Sequence, residues 1–262
     1  MPHVSRKVLS WLKAFGVEPW KTRGAIRTLP ATLREYSSFR KQNEGLGDSW
    51  NIALSEPSLH DRLDSGGAAS GHYFHQDLLV ARRIYEREPK KHVDVGSRVD
   101  GFVAHVAVFR EIEVVDIRPQ NEVVSNISFV QKDLMDANAI PADYCDSLSC
   151  LHALEHFGLG RYGDPIDVVG YEKGFDALTR MLQSGGILYL SVPIGRERVE
   201  FNGQRVFALD RLERMYQGRY NVKDFSFVND EGCLVESVDL RERRDELSSL
   251  NYGCGIFELQ KV

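Results

Sequence analysis

From residue 72 onward the chain alternates apolar runs of strand length with segments of helical periodicity, and nothing else in the sequence constrains its fold as tightly. Residues 77–86 place apolar side chains at 78, 79, 80, 84 and 85, which predicts a helix. Residues 92–95 predict a strand ending at Gly96, and 102–109 a helix. Further strands are expected at 113–117, 127–130, 144–151 and 187–192, with a helix over 174–183 closed by Ser-Gly-Gly. Residues 222–228 and 256–262 are strand-like, with a short helix over 241–250 between them, and predict an antiparallel edge pair. Strands alternating with helices imply an α/β domain, its parallel sheet wound on both faces.

Residues 1–71 lack that order. Pro19, Pro30, Pro57 and the Ser-Gly-Gly run near residue 65 predict an irregular cap with short helices. The expected division is therefore an N-terminal extension over 1–71 and one domain over 72–262. Val4, Val8, Trp11, Leu12 and Phe15 recur at helical spacing among Arg6, Lys7 and Lys13, the pattern of a short basic amphipathic helix. The chain carries a net charge of −5, yet residues 1–41 hold nine Lys/Arg against Glu18 and Glu35, so this arm is at +7 and the remainder at −12. A basic arm on an acidic body suggests an anionic contact, such as peripheral docking on the inner face of a membrane. Such stripes are more often core, so packing on its own domain or on a second copy in a homo-oligomer is the preferred reading of the same residues.

An acidic net charge argues against nucleic acid as a partner. No apolar run approaches the ~18 residues of a membrane span. Cys145, Cys150, Cys233 and Cys254 form no C-x-x-C pair, and the basic residues near the N-terminus interrupt any secretory leader. Reduced cysteines in a cytoplasmic protein follow as the expectation.

The segment Asp94-Val95-Gly96-Ser97-Arg98-Val99-Asp100-Gly101-Phe102 follows one strand and opens a helix. In a doubly wound sheet, ligands bind beyond the carboxyl ends of the strands, and an acidic residue some 20 positions on receives the ribose hydroxyls. Asp116 lies 20 residues after Gly96, at the expected end of the next strand. A dehydrogenase would carry G-x-G-x-x-G here, and this chain does not. An acidic residue two before the first glycine resembles the first motif of class I S-adenosylmethionine (SAM) methyltransferases, E/D-x-G-x-G. Arg98 stands where that motif has its second glycine. Ser149 to His156 (SCLHALEH) resembles the family's fourth-strand motif, and Gly185 to Pro193 (GGILYLSVP) its fifth.

That resemblance implies a Rossmann-like sandwich with a mostly parallel seven-stranded sheet in the order 3-2-1-4-5-7-6 and an antiparallel seventh strand. It implies SAM as cofactor over Asp94, Gly96, Ser97 and Leu151, with Asp116 and Ile117 at the ribose and Asp133 and Leu134 at the adenine. Three further strings, 72–77 (HYFHQD), 158–165 (GLGRYGDP) and 252–257 (YGCGIF), resemble an uncharacterised bacterial branch associated with surface-polysaccharide loci.

His152, Glu155 and His156 spell H-x-x-E-H just beyond the fourth strand and are the catalytic candidates. A histidine suits removal of a proton from an acceptor hydroxyl near neutral pH. A divalent metal on His152, Glu155, His156 and Asp164 is a second expectation. A zinc peptidase would need a continuous helix here, and Gly158, Gly160 and Gly163 interrupt it. Acceptor contacts are expected from Tyr73, His75 and Gln76, from Arg161, Tyr162 and Asp164, and from Asn202, Gln204 and Arg205 after the fifth strand. Arg161 and Arg205 could clamp an anionic group. This polar set suits a sugar or other polyhydroxy acceptor, hence O-methylation. Two alternatives stay open: a binding or scaffold protein in which Arg98 fills the cofactor pocket, and a nucleotide-sugar oxidoreductase, weakened by the missing glycine pattern.

Overall fold

The computed structural model describes residues 6–136 and 138–262, which form two compact units, Met1–Ala68 and Ala69–Val262. Val4, one of the stripe residues, lies outside the described residues.

The first unit holds α1 (Arg6–Ala14) and α2 (Pro19–Glu44). The irregular cap expected from its prolines is therefore corrected to one long helix with a return segment. Pro19 occupies the first turn, where a missing N–H costs nothing. Pro30 forfeits one interior bond, but good helix formers on both sides carry the helix past it. The segment after α2 folds back along it. Asn43 exchanges hydrogen bonds with the backbone of Trp50 (2.8 and 2.9 Å), and Arg62 grips Glu35 with both terminal nitrogens (2.7 and 3.0 Å). Val8 and Trp11 on α1 and Phe15 just beyond its end are exposed. Among the described residues no helix is long and apolar enough to cross a membrane.

The second unit begins with α3 (His72–Arg87), β1 (His92–Val95), α4 (Ala104–Ala107), β2 (Ile112–Asp116), β3 (Ile127–Gln131) and β4 (Cys145–Leu151). It continues with α5 (Gly170–Met181), β5 (Leu182–Ile194), β6 (Arg198–Glu200), β7 (Gln204–Val206), α6 (Leu209–Tyr216) and β8 (Tyr220–Val228). β9 (Leu234–Val235), α7 (Arg244–Ser249) and β10 (Gly253–Lys261) complete it. The main sheet runs β3-β2-β1-β4-β5-β10-β8-β9. β1 to β5 are parallel, and β10 inserts antiparallel between β5 and β8. This is the expected order with an eighth, two-residue edge strand added by β9, while β6 and β7 form a separate hairpin.

The sheet separates two apolar layers. On one face Val93, Val95 and Leu148 pack with Phe175 and Leu178 of α5. On the other, Val114, Tyr189 and Ile256 pack with Val80 and Ile84 of α3 and Phe102 near α4. The helix expected over 102–109 shortens to α4 because Gly101 takes a non-helical conformation (φ −122°, ψ −118°) just before it. β5 starts directly where α5 ends, and a register shift against β4 absorbs the Ser-Gly-Gly turn.

One face of β1 breaks the apolar pattern. His92 lies between the hydroxyls of Ser147 (2.8 Å) and Ser149 (3.2 Å), and Asp94 accepts the Ser149 hydroxyl (2.5 Å). Complete burial pushes the His92 pKa down to about 3 and the Asp94 pKa up to about 6.

Candidate functional site

The carboxyl ends of β1, β2 and β4 converge on the Asp94–Gly96 loop. Asp94 anchors that loop by accepting the Ser97 backbone N–H (3.0 Å) and hydroxyl (2.9 Å), so its role is to hold the turn. Gly96 has φ +78°, and a Cβ there would lie 2.7 Å from the Cβ of Ala153. Only glycine meets both conditions.

Two adjoining pockets open from this loop. The first is lined by Gly96, Asp116, Ile117, Asp133 and Leu134, with apolar walls from Val115 and Phe157. The second is lined by Gln76, Asp77, Ser97, Leu151 and Arg161. They share Gly96, Arg118, His152 and Tyr162. Every expected cofactor residue other than Asp94 thus lines one pocket or the other. Asp133 also accepts the backbone N–H of Met135 (2.8 Å), closing its own turn.

Sequence reasoning missed Arg118. Its Nε reaches both Asp116 carboxylate oxygens (3.0 and 3.2 Å), and its Nη2 donates to the Gly96 carbonyl (3.3 Å). The guanidinium also lies 4.5 Å from the centre of the Tyr162 ring. A cation two residues beyond the acidic strand end was the available signal. Arg98, by contrast, is mostly exposed at the rim and paired to Asp100, so it does not fill the pocket.

The H-x-x-E-H segment leaves β4 through His152, a non-glycine residue at φ +51°, a conformation that costs on the order of 1 kcal/mol. Hydrogen bonds from its backbone N–H to the Ser191 carbonyl (2.9 Å) and hydroxyl (3.1 Å) hold it there. Leu154 to His156 make only one 3-10 turn, so the helical pairing a zinc peptidase needs is not formed. The His152 Nδ1 lies 2.7 Å from Glu155 Oε1. Glu155 is fully buried, and its Oε2 has no partner. Burial pushes this carboxylate up, but His152 and His156 together hold it below its usual pKa. The His156 Nδ1 sits 2.8 Å from the Gly203 carbonyl, which can only accept. The ring proton is therefore on Nδ1, leaving Nε2 with its lone pair. Burial, reinforced by Arg161, lowers the His156 pKa and keeps the ring neutral.

The expected metal set of His152, Glu155, His156 and Asp164 does not assemble. Asp164 Oδ2 accepts the Gly158 and Gly160 N–H groups (2.9 and 3.0 Å), and Oδ1 that of Tyr162 (3.1 Å). Its carboxylate builds the loop. Among the described residues the ligand atoms that do meet near β4 belong to His72, His152 and Cys254.

The expected acceptor residues divide. Tyr73, Gln76 and Arg161 line the second pocket, Asp164 the first, and Tyr162 both. His75 packs edge-on against Phe74 and lines neither. Asn202 is exposed, and Gln204 accepts the Tyr252 hydroxyl (2.9 Å), away from both pockets. Arg205 is buried and donates to the carbonyls of Glu155 (3.2 Å), Phe157 (2.6 Å) and Val168 (3.2 Å). It clamps the loop after β4 and is not available to an anionic acceptor.

Residues 99–252, more than half of the chain, match the family described as "Caenorhabditis protein of unknown function, DUF268". The chain belongs to this family. Its description names Caenorhabditis, where the particular strings had suggested a bacterial branch. No curated protein matches the DUF268 chain in sequence. Among solved structures it is similar to the N-methyltransferase NodS from Bradyrhizobium japonicum WM9 in complex with S-adenosylhomocysteine. That likeness has a TM-score of 0.50 at 14% identity, over 86% of this chain and 97% of NodS. It is also similar to the Burkholderia thailandensis 1,6-didemethyltoxoflavin-N1-methyltransferase (TM-score 0.50, 14% identity, 71% of this chain and 78% of that one). At such identity the likeness is one of fold, and the fold is that of the class I methyltransferases.

Proposed function

We propose that this DUF268 chain is a SAM-dependent methyltransferase that methylates a hydroxyl of a sugar or related polar compound. One observation carries the reading. Asp116, Asp133 and Leu134 line the same pocket as His156, together with the shared residues His152 and Tyr162. The donor set fits the cofactor: carboxylates for ribose hydroxyls and an adenine amine, apolar walls for the base, and Asp77 in the second pocket for an ammonium. SAM supplies an electrophilic methyl group. Held there, it would give up that methyl to the acceptor oxygen and leave as S-adenosylhomocysteine, its carbon–sulfur bond broken.

The proton of the acceptor hydroxyl goes to His156 Nε2, the unprotonated nitrogen of a neutral ring lining the first pocket, which has Arg161 Nη1 at 3.5 Å and Glu155 Oε1 at 3.7 Å. Arg161 and Tyr162 flank that ring, and Tyr73 and Gln76 add polar groups to the second pocket. A sugar acceptor suits such a lining. The exposed stripe of α1 on its basic arm would bring the protein to glycans linked to anionic lipid at the inner face of a membrane.

The test is methyl transfer from labelled SAM to nucleotide sugars and phospholipid-linked glycans. Transfer is expected, and His156→Ala should slow it by about 10²–10⁴-fold. Transfer only to catechols or proteins would contradict the sugar assignment, and full activity in His156→Ala would contradict the base.

A further inference from the structure

His72, His152 and Cys254 come from the start of α3, the end of β4 and the start of β10, and topology brings them to one place. His72 and Cys254 lie in two of the particular strings, 72–77 and 252–257, and His152 lies in the fourth-strand motif 149–156. One nitrogen from each ring and the thiol sulfur all lie within 4.8 Å of one another. His152 and Cys254 are buried, and His72 is half-buried.

The two histidines are prepared in the same way. His72 Nδ1 and His152 Nε2 face each other at 3.1 Å. Two ligands ~2.0–2.1 Å from a tetrahedral zinc lie about 3.3 Å apart, so the rings already hold close to ligand spacing. The opposite nitrogen of each ring has a partner that fixes it. His152 Nδ1 meets the Glu155 carboxylate at 2.7 Å, and His72 Nε2 meets the Tyr252 carbonyl at 3.2 Å. Carboxylates and backbone carbonyls are the groups that orient metal-bound histidines from behind. Glu155 also retains a buried oxygen without a hydrogen-bond partner. The thiol's contacts to Gln76 Oε1 (3.8 Å) and the Gly255 carbonyl (4.0 Å) are long, and its other hydrogen-bond partner is His152, the ring with which it would share the ion.

We propose that His72 Nδ1, His152 Nε2 and Cys254 Sγ form a site for a zinc-class transition-metal ion, with Glu155 and the Tyr252 carbonyl orienting the two rings. Two imidazoles and a thiolate select such an ion over magnesium or calcium, which prefer oxygen. Three protein ligands leave a fourth position for water or another oxygen donor, the arrangement of zinc sites that act on a ligand. His152 also belongs to the wall shared by both pockets, so the ion would stand beside the space assigned to the acceptor. This site uses a different ligand set from the H-x-x-E-H reading and stands independently of SAM binding.

The test is cobalt and zinc titration of the full chain after chelator treatment. Wild type should bind one equivalent of cobalt with a thiolate-to-metal charge-transfer band and the intense visible bands of tetrahedral cobalt, and zinc should displace it. Zinc should also raise the melting temperature, a readout that needs no variant. Cys254→Ser should lose the charge-transfer band, and Glu155→Gln should weaken zinc binding about 10–100-fold. Cys233→Ser, which alters an exposed thiol, should change neither. Folded wild type that binds no zinc or cobalt would overturn the proposal, as would a thiolate band that survives Cys254→Ser. Calorimetry with S-adenosylhomocysteine reads the nucleotide site separately, so failure of one reading does not hide failure of the other.

Discussion

Arg118 holds the carboxylate of Asp116, the residue that would receive a ribose, through its Nε at 3.0 and 3.2 Å. A nucleotide entering this pocket must share or displace that guanidinium, which is about a third exposed and stacked over Tyr162. Arg118→Ala should therefore tighten S-adenosylhomocysteine binding several-fold, since a partly exposed ion pair contributes no more than about 1 kcal/mol. Calorimetry checks this. Weaker binding in Arg118→Ala would show that the guanidinium serves the ligand and does not compete with it.

Gly96→Ala should cost both stability and ligand binding. The new methyl group would lie 2.7 Å from Ala153 Cβ at a backbone φ of +78°. Strain and overpacking together predict a loss of about 2–4 kcal/mol in chemical denaturation. Ala153→Gly in the same chain should return only the part due to the clash. If the double variant were no more stable than Gly96→Ala, the Ala153 contact would not be the cause.

Arg205 and Arg161 should separate cleanly. Arg205→Ala leaves the carbonyls of Glu155, Phe157 and Val168 without their buried donor and should destabilise the fold by about 2–4 kcal/mol. Arg161→Ala should leave stability within about 0.5 kcal/mol and raise KM for the acceptor. Normal stability in Arg205→Ala with only a raised KM would restore it as a substrate clamp.

How far the sequence reached depended on what kind of contact was involved. A parallel sheet wound on both faces was readable because the apolar runs of β1, β2, β4 and β5 alternate with helices, and the strand order followed from the family resemblance. Gly96 and Asp116 could be placed by a strand end and a fixed spacing, and Asp133 by the family resemblance, whereas Asp94, read as a cofactor residue, lines neither pocket. The same reasoning failed where the partner lies far off in sequence. Nothing local tells that Arg205 reaches carbonyls about 50 residues back, or that Cys254 comes to His72 across 182 positions. In α2, proline was read as a breaker, but Pro19 sits in the first turn and Pro30 in a helix that its neighbours sustain.

His92 and Asp94, adjacent on one face of β1, should bend the pH dependence of stability in opposite directions. The folded chain keeps Asp94 protonated up to about pH 6, whereas an unfolded aspartate loses its proton near 3.9, so this residue lowers stability as pH rises through that window. His92 stays neutral in the folded chain down to about pH 3, whereas an unfolded histidine takes up a proton below about 6.5, so this residue raises stability as pH climbs from 3 to 6.5. Between about pH 4 and 6 the two oppose each other. Relative to wild type, Asp94→Asn should gain stability with rising pH in that range, and His92→Gln should lose it, each by about 1.4 kcal/mol per pH unit at most. Urea titrations across the window provide the measurement. Slopes identical to wild type in both variants would mean that neither group titrates as its burial implies.

The most direct test of the account is calorimetry of S-adenosylhomocysteine with wild type and with Asp116→Ala. The geometry of Gly96, Asp116 and Asp133 predicts saturable binding at one site in wild type and a loss of at least about tenfold in the variant, the scale of one charge-assisted hydrogen bond. No heat with wild type at millimolar ligand, or equal affinity in Asp116→Ala, would contradict it.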